Sequence, residues 1–354
     1  MNYSRRLGEI SPHQFQRALD HFDLGLFVQA EPIPFGLFGQ NVLVTSTKGE
    51  FVLRGNPHFS WQFPTEQFYV HQLHEQTPVP VPYPYLIDGS PTIFGWSYAI
   101  MPRMSGLQVT DQQFKETLRA DDRKSIARAL GENLALMQEL TWPSSGRYQV
   151  DAQAVQPFEL RQELAYPFPV ASDARASALQ PQEVTFSERI VARIRHMLLQ
   201  ASTYNDRTSP ADVEWVEEVI EQAKDALDNH FQPCFVMEDY KEANVVLTNV
   251  QGRWSVSGVF DLMEGSFGDG EADLSRQVSI YVEEEPSLVR EFVQGFITNK
   301  PLRAGFTERF PIYMLHDRLI VWEYVQRTHT FWWDDQLPFR QWVERYISAD
   351  ALFS

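Results

Sequence analysis

The chain has 354 residues, room for two domains or one large one. Its 43% hydrophobic and 13% aromatic content can fill real cores and excludes wholesale disorder. The formal net charge of -17 argues against nonspecific binding to nucleic acid or an anionic membrane, both themselves negative, and fits either a cationic substrate or plain solubility.

The start, MNYSRRLGEISPHQF, carries basic residues with no apolar core behind them, so it does not read as a signal peptide. A short helix is expected next: Ser11 caps it, Pro12 suits its first turn and Gln14 completes a capping-box spacing. FVQAEPIPFGLFGQNVLVTSTKGEFVLRG then alternates apolar stretches with glycine-bearing turns. It predicts three antiparallel strands, with Gly36 and Gly39 in the first connection and Lys48-Gly49-Glu50 in the second. PTEQFYVHQLHEQ has helical spacing, with Pro64 near its start. PVPVPYPYLI cannot be helical because prolines recur every second or third position. WSYAIMPRMSG reads as a strand ending in a linker at Pro102 to Gly106.

After Gly106 the character changes. DDRKSIARALGENLALMQEL places Ile126, Leu130, Leu134 and Met137 on one helical face. Residues 143–183, rich in Pro, Ala, Gln and Ser, follow no clear pattern. SPADVEWVEEVIEQAKDALDNHF predicts a helix capped by Ser209, with Val213, Val216, Ile220, Ala223 and Leu227 inward. CFVMED is a short strand, NVVLTNVQGRWSVSGVFDL a hairpin turning at Asn249 to Gly252, and the chain from Gly270 onward is mostly helical. The order is a small strand-rich domain with one helix, then a larger helical domain holding an acidic loop and a hairpin. A cleft between two such lobes is a usual place for a ligand.

The only cysteine, Cys234, excludes an intramolecular disulfide, reads as a buried structural thiol and fits a reducing cytoplasm. No run of about 18 apolar residues offers a membrane span. A cytoplasmic protein is therefore expected, and the oligomeric state is left open.

The loop MEDYKEAN crowds charged residues and an asparagine ahead of a strand. Phosphoryl transfer needs a carboxylate at the substrate hydroxyl, hard oxygen ligands for Mg2+ and a cation for the moving charge. Asp239, Asn244 and Asp261 supply three oxygen-bearing groups. The hairpin predicts that Asn244 and Asp261, at its two ends, are neighbours, a pair suited to Mg2+. No His or Cys pairing suggests zinc. Read alone, Asp239 could instead cap a turn, Arg54 could be a surface strand residue and Glu66 an exposed helical acid.

Asp239 to Asn244, D-Y-K-E-A-N, matches the catalytic-loop pattern D-x-x-x-x-N of the protein kinase-like fold, and the strand–turn–strand running to F-D-L matches its metal-binding segment. GDGEADLSR, 268–276, resembles the G-D-P-x-x-D-L-A stretch of the aminoglycoside phosphotransferase family. FVLR at 51–54, Glu66, VPVP at 79–82 and MPRMSG at 101–106 follow that family's order. The resemblance implies an α+β, bilobal protein kinase-like fold, with a small antiparallel-sheet nucleotide-binding lobe over residues 1–102 and a larger, mostly helical lobe over 103–354. It also implies Mg2+-dependent transfer of the γ-phosphoryl group of ATP, with GTP as the other candidate donor, to a hydroxyl of a small molecule such as an amino sugar or amino alcohol, a possibly cationic acceptor.

In that reading Asp239 is the catalytic base, and Asn244 and Asp261 are metal ligands. Arg54 replaces the phosphate-binding lysine and pairs with Glu66. The backbone from Met101 through Arg103 to Met104 meets the adenine, and Gly36 to Gln40, Gly39 included, cover the phosphates. The family's His-Gly-Asp is Met237-Glu238-Asp239 here, which sets a second negative charge beside the base, and its Asp-Trp is Asp261-Leu262. Lys241 stands where many protein kinases carry a lysine toward the transferred phosphate, and is assigned the γ-phosphate. Asp269 and Asp273 are read as bracing the loop. Trp332 and Trp333, beside Asp334 and Asp335, form either a core aromatic pair with surface acids or a substrate wall. The departures motivate a second reading, a nucleotide-binding or scaffolding pseudokinase. A protein kinase is disfavoured by the poor glycine loop and the lack of an A-P-E segment after Asp261.

Overall fold

The computed structural model describes residues 3–33, 41–165 and 180–348. The chain divides into two compact units. The first comprises Met1–Glu116, Gln149–Gln153 and Ala243–Gly265, and the second Thr117–Tyr148, Ala154–Glu242 and Ser266–Ser354.

The first unit opens with helix α1, Pro12–His21. Its capping box is complete: Gln14 N donates to Ser11 Oγ, and the Ser11 amide donates to Gln14 Oε1. Strands β1 (Phe27–Pro32), β2 (Asn41–Ser46), β3 (Gly49–Gly55), β4 (Leu86–Asp88) and β5 (Tyr98–Pro102) form an antiparallel sheet in the order β1-β2-β3-β5-β4. Ser46 pairs with Gly49, so the β2–β3 connection is tighter than expected: Thr47 and Lys48 make the loop, and Gly49 and Glu50 already belong to β3. Period-two alternation turns Val42 and Val44 inward, where they join Phe15, Ala18 and Leu19 of α1 and Leu53, Tyr98 and Ile100 in one core. Gly36 and Gly39 lie outside the described residues.

Helix α2, Gln62–Gln76, buries Phe63, Glu66, Tyr69, Val70 and Leu73. Glu66 shares this apolar stripe and is 0% exposed, so it is not the surface acid that an ordinary helical glutamate would be. The hairpin Val245–Val250/Arg253–Val259 turns at Gln251 and Gly252, both with positive φ, the backbone that suits a two-residue hairpin. It is fastened by paired 2.8 Å hydrogen bonds between Leu107 and Leu247 and by Val259 N donating to Pro80 O. A Cβ on Gly106 (φ +152) would sit 2.8 Å from Leu247 O, so a side chain there would block this seam.

In the second unit, helices Ala120–Met137 and Ser287–Asn299 approach backbone to backbone. A Cβ on Gly131 would meet Phe292 O at 2.0 Å, and one on Gly295 would meet Arg128 O at 2.1 Å. Ile126, Leu130, Leu134 and Met137 are buried as their spacing predicts. Helix Pro210–Leu227 starts on the Ser209 cap, and Cys234–Val236 pairs with Ser266–Gly268. Helix Phe186–Tyr204 was not foreseen. Thr185 and Glu188 complete its capping box, and its inner face carries Phe186, Ile190, Ile194 and Leu198 at helical spacing together with Arg189 and Arg193. Helix Phe306–Thr328 brings Trp322 against Phe339 and Trp342 of helix Phe339–Ile347. Among the described residues no helix is long and apolar enough to cross a membrane.

Candidate active site

Within the first unit, β3, α2 and the end of the hairpin converge on one charged cluster. Arg54 Nη1 lies 2.6 Å from Glu66 Oε2, and its Nη2 lies 3.2 Å from Asp261 Oδ1. Glu66 is held from several sides: Tyr85 Oη donates to Oε2 (2.8 Å), and the amides of Asp261 and Leu262 donate to Oε1 (3.1 and 3.2 Å). Burial pushes the Glu66 carboxyl up against the pull of Arg54. For Arg54 burial acts downward, but Glu66 and Asp261 outweigh it and raise the guanidinium further above its ordinary range. Asn244 is buried at the other end of the hairpin, where its carbonyl accepts from Phe260 N (3.1 Å) and Val245 pairs with Val259. The backbones at 244 and 260–261 are therefore neighbours, as the hairpin predicted. Asp261 has φ +70, a left-handed backbone unusual for a non-glycine residue.

Asn244 and Asp261 offer hard oxygen donors only. Mg2+ needs no more than one or two protein oxygens when phosphates and water complete its shell, so this pair fits that ion. Among the described residues no cluster of three His, Cys, Asp or Glu side chains forms a richer metal cage. Met101 is buried in β5 opposite Val52, and β4 stops pairing at Ile100. Arg103 sends its guanidinium to Glu50 (2.9 Å) on the surface, and its amide donates to Glu50 O.

Within the second unit, both oxygens of Asp239 face cations: Lys241 Nζ is 2.6 Å from Oδ2, and Arg276 Nε is 3.0 Å from Oδ1. Arg276 Nη1 in turn lies 3.1 Å from Asp317 Oδ1, on helix Phe306–Thr328. Asp273 braces the loop as expected, accepting from Met237 N (2.6 Å) and Glu238 N (2.8 Å). Burial pushes its carboxyl up to about 7, although those two amides pull the other way. Asp269 caps Glu271 and accepts from Tyr313 Oη.

Glu238 does not act as a loose charge beside Asp239. It has φ +66, the left-handed backbone that suits the family's glycine. Its carboxylate accepts twice from Arg189 Nη2 (2.8 and 2.9 Å), once from Arg147 Nη2 (3.1 Å) and once from Ser266 Oγ (2.8 Å). Burial pushes this carboxyl up, but Arg189, Arg147 and Arg193 overcome that and hold it well below the usual carboxylate range. Glu163 shares the same arginines, 2.6 Å from Arg189 Nε. His316 is buried and accepts from Arg193 Nε at Nε2 (2.9 Å). Burial and the arginines keep it neutral, its pKa well below the ordinary value.

The tryptophan pair divides. Trp333 packs on Trp342 and Trp322 with centroids at 4.8 and 6.1 Å, while Trp332 is exposed. Cys234 is buried, as read from the sequence. Sequence reasoning missed Tyr85, hidden in the proline run, and Arg276, whose only signal was its place one turn beyond Asp273.

A model of the phosphotransferase enzyme family matches residues 29–306. No curated protein sequence matches the chain. Among solved structures, the chain is similar to a thermostable mutant of aminoglycoside phosphotransferase APH(4)-Ia in ternary complex with ADP and hygromycin B, at 16% identity over 95% of this chain and 96% of that one, TM-score 0.55. It is similar to the GDP complex of an aminoglycoside 2'-phosphotransferase-IIIa mutant at 13% identity over 96% and 97%, TM-score 0.56. It is also similar to choline kinase LicA from Streptococcus pneumoniae at 12% identity over 96% and 99%, TM-score 0.50. The five-stranded antiparallel sheet and mostly helical remainder are their fold, and with the family model spanning most of its length, the chain belongs to the phosphotransferase enzyme family.

Proposed function

We propose that this enzyme moves the γ-phosphoryl group of a purine nucleoside triphosphate, ATP first and GTP as the other candidate, onto a hydroxyl of a small molecule in the cytoplasm. The observation that carries the reading is Arg54, set between buried Glu66 and Asp261. A cation fixed by two carboxylates from distant parts of the chain has a defined place to meet phosphate. Residues 1–102 supply the nucleotide-binding half of this scheme, with the adenine meeting the backbone between Met101 and Met104.

Asn244 and Asp261 would hold Mg2+, which neutralises phosphate oxygens when bound. Asp239 orients the acceptor hydroxyl and takes its proton. The acceptor oxygen bonds to the γ-phosphorus as the bond from that phosphorus to the bridging oxygen breaks, and the nucleoside diphosphate leaves with that electron pair. Lys241 turns from Asp239 to the transferring group, and Arg54 stabilises its charge. The relatives solved with ADP or GDP support a nucleotide donor. Those with hygromycin B, or named choline kinase, support a hydroxyl-bearing and often cationic acceptor.

The test is ADP or GDP release over a panel of amino sugars, amino alcohols and plain polyols, with melting shifts measured in Mg-nucleotide. At least one acceptor should drive release, and Asp239→Asn should lower turnover by about 10²–10⁴-fold while keeping the melting shift. A shift without release for any acceptor would favour a nucleotide-binding pseudokinase. No shift with either nucleotide would overturn the reading.

A further inference from the structure

We propose that Arg276 is a positioning residue for the phosphoryl transfer, the group that fixes the Asp239 carboxylate while the acceptor hydroxyl takes the place of Lys241. The inference rests on the reading of Asp239 as the residue that meets the acceptor. In the structure each Asp239 oxygen faces its own cation, Lys241 at Oδ2 and Arg276 at Oδ1. The acceptor hydroxyl must give up its proton to one of these oxygens, and in the proposed transfer Lys241 turns to the transferring group, which leaves Oδ2 to the hydroxyl and Oδ1 to Arg276.

The two are not equivalent. Arg276 reaches back to Asp317, whose side chain is 5% exposed and which also receives Arg318 Nη2 at 2.7 Å. It sits in the first turn of helix Leu274–Glu284, directly after the Asp273 that holds the amides of Met237 and Glu238. The loop backbone and the Asp239 carboxylate are thus secured by residues three apart at one helix end. Lys241 is a flexible chain on the loop itself and the more exposed of the two, 28% against 19%. Arg276 is the part that stays, and Lys241 the part that moves.

Arg276 meets Asp239 through one nitrogen while another is tied to Asp317, so the charge beside the Asp239 carboxylate is itself held in place, unlike the ammonium of Lys241. The assignment also gives a role to the arginine that closes the stretch G-D-G-E-A-D-L-S-R, for which the resemblance implied none. Arg276 touches no reacting atom; it acts through Asp239.

Two arms test this on the full chain. In the kinetic arm, Arg276→Met should lower kcat by about 10- to 100-fold, the scale of an ångström-sized misplacement. Nucleotide KM and the nucleotide-induced melting shift should stay within about two-fold, and Arg276→Lys should recover part of the loss. An unchanged kcat, or an equal loss in nucleotide KM, would overturn the assignment. In the second arm, melting temperatures are measured for Arg276→Met, Asp239→Asn and the double variant. If Arg276 holds Asp239, the double variant loses less than the sum of the singles; additive losses would overturn the proposal. This arm reads out even in a chain that releases no diphosphate, a result that would sink the phosphotransfer reading instead. Should Arg276→Met fail to fold, Arg276→Lys, which keeps a charge toward Asp317, carries both arms.

Discussion

Glu238 gives the sharpest test of the second unit. Its side chain is 13% exposed and shares Arg147, Arg189 and Arg193 with Glu163, two carboxylates facing three guanidiniums. Ser266 donates to it, neutral His316 lies beyond Arg193, and Glu163 and Asp273 are nearby acids that oppose it. Truncation to alanine leaves three arginines to one glutamate in a buried site. Breaking such a pair costs about 3–5 kcal/mol. The backbone adds a second effect, because φ is +66. A left-handed conformation costs an L-residue about 1–2 kcal/mol, and glycine's freer unfolded chain returns about 0.4–1 kcal/mol of that advantage. Glu238→Gly should therefore lose the same ion pairs as Glu238→Ala yet unfold about 1 kcal/mol later. Urea unfolding at neutral pH reads both values. An alanine variant within about 1 kcal/mol of the parent, or one more stable than the glycine variant, would refute the account. The pH dependence has a definite sign. The folded carboxyl titrates below its ordinary 4.5, so its contribution is complete above that pH and is lost as pH falls through the folded value. Glu238→Gln should flatten the acid limb of the stability curve.

Other outcomes follow from the same geometry. Arg54→Met leaves Glu66, 0% exposed, without its guanidinium; it should destabilise the first unit by about 3–5 kcal/mol in thermal melts and raise nucleotide KM. Tyr85→Phe removes a 2.8 Å hydrogen bond to the Glu66 carboxylate; a loss of about 1.5–3 kcal/mol is expected by denaturant unfolding, with no change in acceptor KM. Gly295→Ala drives a Cβ to 2.1 Å from the Arg128 carbonyl oxygen. Helices Ala120–Met137 and Ser287–Asn299 must then part, at about 1–3 kcal/mol or more, visible as an earlier melt.

What was legible in the sequence was local or carried by polar residues in loops. Ser11, Pro12 and Gln14 specify a helix start through their own hydrogen bonds, and the two-residue hairpin turns announce themselves through glycine beside polar residues. The pairing of Arg54 with Glu66 was implied by the family resemblance alone, since residue by residue Arg54 read equally as a surface strand residue and Glu66 as an exposed helical acid. The remainder depends on partners far away in sequence. Helix Phe186–Tyr204 was not read from the sequence, although Thr185 and Glu188 form a capping box and Phe186, Ile190, Ile194 and Leu198 recur every four residues; what the sequence did not show is why Arg189 and Arg193 share that inner face, which makes sense only once Glu163 and Glu238 are seen there. Glu66 had a clue that went unused: it lies three residues after Phe63 and four before Val70, on the buried stripe. Arg276 had only its place one turn beyond Asp273, since its two carboxylate partners are 37 and 41 positions away by residue number, at 239 and 317.

The substitution of Met237-Glu238 for His-Gly ahead of Asp239 can now be weighed physically. A glycine would accept the left-handed backbone at 238 without strain; a glutamate accepts it only if something holds it there. Four hydrogen bonds from Arg189, Arg147 and Ser266 do so, and Asp273 binds the amide of the same residue. Meanwhile Met237 is 0% exposed, an apolar plug where the family pattern has an imidazole. The loop has therefore exchanged a flexible residue for an ionic anchor, so that the carboxylate of Asp239 hangs from a fixed backbone and is turned by Arg276. A catalytic carboxylate that must meet a hydroxyl within hydrogen-bond reach gains from such fixing. By this reasoning the departure is compatible with turnover. Glu238→Gly, although the family's own residue, should then lower kcat rather than restore it, and an unchanged or raised kcat in that variant would show that the anchor serves stability alone.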